Sequence, residues 1–92
     1  MEYSVTHNFS ANRFEVLLDD GQTAYLDYNE TVIGLNLAHT YVPKPFEGKG
    51  IASIIVKFAL EYVKRNDIPF IPSCPFVSIY LERHPEYRVT GK

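Results

Sequence analysis

The sequence predicts a small α/β domain with one mixed sheet: a meander of three antiparallel strands, a crossover helix, a short parallel strand and a C-terminal helix. Three observations predict it. Apolar residues recur at helical spacing from Ile51 to Val63; strict alternation flanks the turn sequence DDGQ; and strand, helix and strand follow one another almost without spacers. A crossover of that kind is right-handed and sets its two strands parallel, so the sheet is expected to be mixed.

Taken in order, Tyr3 to Phe9 alternates only in part, with Asn8, Ser10 and Asn12 interrupting, and reads as a frayed strand or arm. No chemistry is placed there, His7 included. RFEVLL puts Phe14, Val16 and Leu18 on one face; DDGQ turns the chain; TAYLDYNE completes a hairpin. A second turn near Asn29 to Thr31 leads into VIGLNLAHTYV. This strand is apolar at both parities after Gly34, as for a central strand covered on both faces.

The long helix begins after Gly50 and ends at Asn66 and Asp67, ahead of Pro69. Ile51, Ile54, Ile55, Phe58, Ala59, Tyr62 and Val63 form its expected buried stripe, with Ile55 and Phe58 as core positions. A short strand at Pro69 to Ile71 follows. Pro75 suits a first helical position, which makes Ser73 or Cys74 the cap of a helix to about Arg83, with Phe76, Val77, Ile79 and Tyr80 as its apolar face. His84 and Pro85 stop it. Nothing in the sequence anchors Arg88 to Lys92, so a mobile end is expected.

Ninety-two residues are expected to make a single domain, 1–92, burying about 60 to 65% of the unfolded surface. A net charge of -2 without a basic run argues against nucleic acid as a partner. Apolar stretches fall short of the roughly 20 residues that cross a bilayer, so no membrane partner is expected. One cysteine makes no internal disulfide, and the start has no export pattern, so the cytoplasm is the expected compartment. Three scattered histidines without ligand spacing predict no metal. Oligomeric state is not readable. Asp19, Asp20, Asp27, Glu30 and Glu61 read as turn and surface charges.

Chemistry concentrates where the parallel strands end. Gly48 and Gly50 admit close backbone approach, and the first-turn amides of the long helix carry partial positive charge. That suits an anion, phosphate above all; the competing reading is an ordinary tight turn. The loop from Val42 to Gly50 and the segment Ser73 to Phe76 are expected to meet at one crevice beyond the strand ends. Cys74, at a helix N-terminus, is expected to be acidified, able to protonate a leaving group or accept an acyl group; alternatively it is a small buried hydrophobe. His39, on the central strand, is a candidate base or a satisfied core residue.

The run Val42 to Ala52, with GKGIA closing a loop after an HTYVP strand, resembles the pyrophosphate loop of GNAT-type N-acetyltransferases. Gly50 and Ala52 occupy the last two signature places, and Glu47 stands where that family has Arg or Gln. The run IPSCPFVSIYLERHPEY resembles the tail of the small YjdJ-type branch, and the likeness extends over roughly Phe14 to Tyr87. It implies a minimal GNAT-like fold that binds acetyl-CoA as co-substrate. Backbone groups of Tyr41 and Val42 would meet the pantetheine, Gly48, Lys49, Gly50, Ile51 and Ala52 the pyrophosphate, and Ser53 could add a hydroxyl. Tyr80 and Arg83 could touch the CoA chain or its 3'-phosphate. The resemblance also points to Cys74, and His39 matches the His of the HT(Y/E)VP stretch.

The implied activity is acetyl-CoA-dependent transfer to an unidentified amine. Larger GNAT enzymes wall the acceptor site with helices between their first two strands, where this chain has only DDGQ. An open pocket suits an exposed protein amine. The alternatives are a non-catalytic acyl-CoA sensor or interaction module, and a structural domain whose glycine loop binds nothing.

Overall fold

The computed structural model describes residues 3–87. The expectation for Arg88 to Lys92 lies outside them. Five strands form one sheet in the order β1 (Thr6–Asn8), β2 (Arg13–Leu17), β3 (Thr23–Glu30), β4 (Leu35–Tyr41) and β5 (Phe70–Ile71). The first four are antiparallel neighbours and β4 pairs with β5 in parallel. Helix α1 (Ile51–Arg65) makes the crossover, and α2 (Pro75–Arg83) follows β5. The mixed α/β architecture and the parallel pair match the expectation.

The meander has four strands rather than three. Asn8, Ser10 and Asn12 do not fray the start; they build its turn. The Asn8 carboxamide oxygen accepts from the Ser10 hydroxyl and the Ala11 amide, each at 3.1 Å, and Asn12 takes the left-handed conformation at φ 56°. β1 thereby returns along β2, with His7 opposite Phe14.

Both helices cover one face of the sheet. Phe14, Val16, Ala24, Leu26, Leu37 and the inner side chains of α1 and α2 form a single core. The opposite face is open, so β4 is not covered on both sides as expected. It carries Arg13, whose Nε donates to Asp27 at 3.0 Å and whose guanidinium lies 3.8 Å above the Tyr25 ring. Val32 and Ile33 fall outside the strand, exposed in the turn before it. That turn is pinned by Gly34, where any Cβ would collide with the Pro69 carbonyl.

The buried arcs of both helices match the expectation at Ile51, Ile55, Ala59, Val63 and Val77 and depart from it elsewhere. In α1, Ile51, Ile55, Val56, Ala59, Leu60 and Val63 are buried, while Ile54 and Phe58 stay 37% and 38% exposed. The expected stripe assumed one neighbour. α1 has two, the sheet and α2, and the second extends burial around to Val56 and Leu60. In α2 the inner residues are Val77 and Leu81; Phe76 and Ile79 face outward.

Candidate functional site

β4 and β5 run together for two residue pairs, Leu35 with Phe70 and Asn36 with Ile71, and then part. The Cys74 amide donates to the Leu37 carbonyl at 2.9 Å and the Ser73 hydroxyl to the Asn36 side-chain oxygen at 2.5 Å, which ties the segment after β5 to β4 as far as Leu37. Beyond Leu37, no strand lies against the outer edge of β4 among the described residues. A crevice opens there.

Its walls come from the chain that leaves β4. A short 3-10 turn, Lys44–Phe46, brings the glycine loop back under the start of α1. Gly48 and Gly50 have φ of 83° and 80°, which is what demands glycine, since a Cβ at either would meet nothing within 4 Å. Gly50 caps α1 without a side-chain hydrogen bond, so the first-turn amides are left facing the opening. The cavity measures about 330 Å³ and is lined by the glycine loop, the first turn of α1 through Ser53, and Val42, Phe46 and Phe76. Glu47 lines it too and brings a negative charge to an end that favours anions. A second cavity of about 230 Å³ adjoins it, sharing Ser53 and Phe76 and adding Tyr80 and Arg83.

Of the expected site residues, Val42, Gly48, Gly50, Ile51, Ala52 and Ser53 therefore stand together, with Tyr80 and Arg83 next door. Lys49 and Tyr41 are exposed and do not line either cavity. Phe46 and Phe76 are additions. Their signal was an aromatic on each side of the glycine loop in space, invisible while Phe76 read as core.

Cys74 is brought to the same end of the sheet but turned inward. It is 4% exposed, and its sulfur lies 3.3 Å from the Thr40 hydroxyl. Burial pushes the thiol pKa up, while the Thr40 hydroxyl and the Val77 and Phe76 amides pull it down; the balance falls below the ordinary thiol value. Acidification was expected, and Thr40, 34 residues away in sequence, was not foreseen.

His39 and Thr40 are neighbours that face opposite ways. The register jumps between Asp27–His39 and Tyr28–Leu37, leaving Ala38 without a partner. This bulge reverses the alternation of β4. Leu37 and Thr40 point to the helices, while His39 joins Asp27 and Tyr25 on the open face. His39 is exposed, neither a core residue nor beside the Cys74 thiol. No cluster of three or more His, Cys, Asp or Glu side chains is placed to hold a metal ion among the described residues. None of their helices is long and apolar enough to cross a membrane.

A parallel pair that parts after two residue pairs, a glycine loop and an uncapped helix start define a mixed α/β domain with a crevice at the start of α1. The chain belongs to the GCN5-related N-acetyltransferase family, whose model matches residues 13–90. It is similar to Protein NATD1 of Xenopus tropicalis, Gallus gallus and Homo sapiens, 33% identical in each case over 51 residues, or 55% of this chain. Those matches cover 47%, 46% and 45% of the relatives, so the aligned part spans about half their length.

Proposed function

We propose that the chain binds acetyl-CoA in this crevice and transfers the acetyl group to an amine. The observation that carries the reading is the glycine loop and uncapped α1 start lining a cavity beside the free edge of β4, in a member of an N-acetyltransferase family. Pyrophosphate would sit against the amides of Gly48 to Ala52. Pantetheine would run along β4 toward Tyr41 and Val42, on the edge away from β3, which has no strand partner beyond Leu37 among the described residues. The nucleotide end would reach the adjoining cavity, where Arg83 supplies a cation and Tyr80 a ring.

In the transfer, the amine nitrogen attacks the thioester carbon, the oxyanion collapses, and the carbon–sulfur bond breaks as the CoA thiolate leaves. The amine loses one proton and the thiolate gains one. Cys74 can deliver that proton, or can first take the acetyl group as its own thioester. Its sulfur is nearly sealed, so either role requires the first turn of α2 to give way. His39 can accept the amine proton only from an acceptor that arrives on the open face. That face has no helix over it among the described residues, which suits an exposed protein amine.

A second reading, a non-catalytic acyl-CoA sensor or interaction module, is favoured by Glu47 in the cavity wall and by His39 and Cys74 lying on opposite faces. Amide shifts of labelled protein titrated with acetyl-CoA test both. Gly48, Gly50 and Ala52 should move together; if they stay still at millimolar ligand, neither CoA reading stands. Acetyl transfer to a panel of amines then separates the two. Cys74→Ala should abolish transfer, and unchanged turnover would remove the thiol from the mechanism.

A further inference from the structure

His7 lies at the other edge of the sheet, with its imidazole turned inward from β1. The ring is stacked on Phe9 at 3.8 Å and on Phe14 of β2 at 4.3 Å, and meets Tyr62 of α1 edge-on at 4.6 Å. Nε2 is 2.6 Å from the Tyr28 hydroxyl of β3. Nδ1 is buried and has no hydrogen-bond partner among the described residues. β1 is only three residues long and has a strand on one side. Ahead of it, Tyr3 and Val5 border a groove with Ile54 and Phe58 of α1. One titratable ring thus joins the N-terminal strand to β2, β3 and α1 together.

We propose that His7 is a pH-operated latch: the neutral imidazole fastens β1 to the sheet and α1, and uptake of one proton releases the strand. As a cation, the ring has two N–H donors, and only the Tyr28 oxygen is placed to accept one. The other would be a buried donor with no acceptor, attached to a charge taken out of water. The Phe9 and Phe14 faces attract a cation, but no carboxylate among the described residues pairs with the ring.

The groups around it have been placed. Arg13 and Glu15 of β2 engage Asp27 and Asn8. Glu30 of β3 acts on Tyr28, whose hydroxyl is held above its ordinary pKa by burial first. Lys57 and Glu61 of α1 border the groove under Tyr3 and Val5, and Tyr62 meets the imidazole edge-to-face, with its phenol acting on Tyr28. Burial holds the imidazole below its ordinary value. A group with a depressed folded value binds its proton better when released. The closed strand is therefore fully favoured above about pH 6.5 and loses ground as pH falls below it.

Amide hydrogen exchange of the full chain at pH 7.5 and pH 5.5, corrected for intrinsic rates, tests the latch. This range lies above the ordinary carboxylate values of about 4. Protection in the β1 and β2 pairing should fall by up to about tenfold per pH unit below 6.5, with the β3 and β4 pairing unchanged. His7→Phe should remove the pH dependence. In the unsubstituted chain, the His7 ring protons should titrate below the ordinary imidazole value of about 6.5. Equal β1 protection at both pH values, an equal loss in His7→Phe, or a His7 ring that titrates at 6.5 or above would overturn the proposal.

Discussion

The two edges of the sheet use the same kinds of residue for opposite ends. At the β1 edge, Phe9, Phe14, Tyr28 and Tyr62 gather around one histidine, with Phe58 against Phe14, and side chains reinforce the pairing of the strand with β2. At the β5 edge, pairing stops after two residues, Gly48 and Gly50 bring only backbone, and Phe46 and Phe76 stand at the wall of a cavity instead of filling it. The difference teaches where each kind of substitution should register. Losses at the first edge and in the core should appear as stability, and losses at the second as ligand binding.

The largest test of that division lies in the core. Ile55 is fully buried, and Ile55→Ala should cost about 2–5 kcal/mol in urea unfolding, for the lost transfer energy and the cavity left behind. Phe58→Ala should cost well under what Ile55→Ala does, because the ring is 38% exposed and meets Phe14 only at its edge. Equal losses would mean that the N-terminal segment over Phe58 matters as much as the core. They would also erase the contrast between the edges.

Those two positions show what was legible in the sequence. The span of α1 could be read because its start and stop are local: Gly50, then Asn66 and Asp67. Its buried face was legible at Ile51, Ile55, Ala59 and Val63 but not at Val56 and Leu60, because the helix also packs against α2, more than a dozen residues away. The same limit governs the site. The glycine loop is one contiguous run and was readable, whereas Thr40 meets Cys74 across 34 residues. The bulge at Ala38 was invisible as well. By simple alternation His39 shares the face of Leu35 and Leu37, and only the register with β3 shows that it does not. Asn8, Ser10 and Asn12 looked like interruptions because a turn built from side-chain oxygens carries no apolar pattern.

The middle-sized test falls where the two kinds of loss should coincide. Gly50 combines a left-handed backbone with the first position of the crevice, at φ 80°. Gly50→Ala meets no steric obstacle, so its cost is conformational: about 1–2 kcal/mol for a β-carbon in that region. Binding of acetyl-CoA should weaken with it, because a relaxed φ re-aims the amides of Ile51 and Ala52. Stability lost with affinity retained would mean that the helix start, though uncapped, is not the anchor.

The smallest effect sharpens the comparison most, because it should move binding alone. Glu47 lines the cavity and is exposed, with no ion pair among the described residues. Its carboxylate opposes any phosphate held at the start of α1, but through water, where two unit charges 4 Å apart interact by only about 1 kcal/mol. Glu47→Gln keeps the shape and removes the charge. Acetyl-CoA affinity should rise by roughly two- to fivefold at low salt, and the gain should shrink as added salt shortens the screening length toward about 3 Å at 1 M. Urea unfolding of the free protein should be unchanged within about 0.5 kcal/mol, since surface substitutions away from packed features rarely exceed that. A gain that persists at high salt would mean that the carboxylate acts by holding the loop shape. An unchanged affinity at every salt concentration would place the phosphates away from this loop, and the β5 edge would then have to be reconsidered as the ligand-binding end of the sheet.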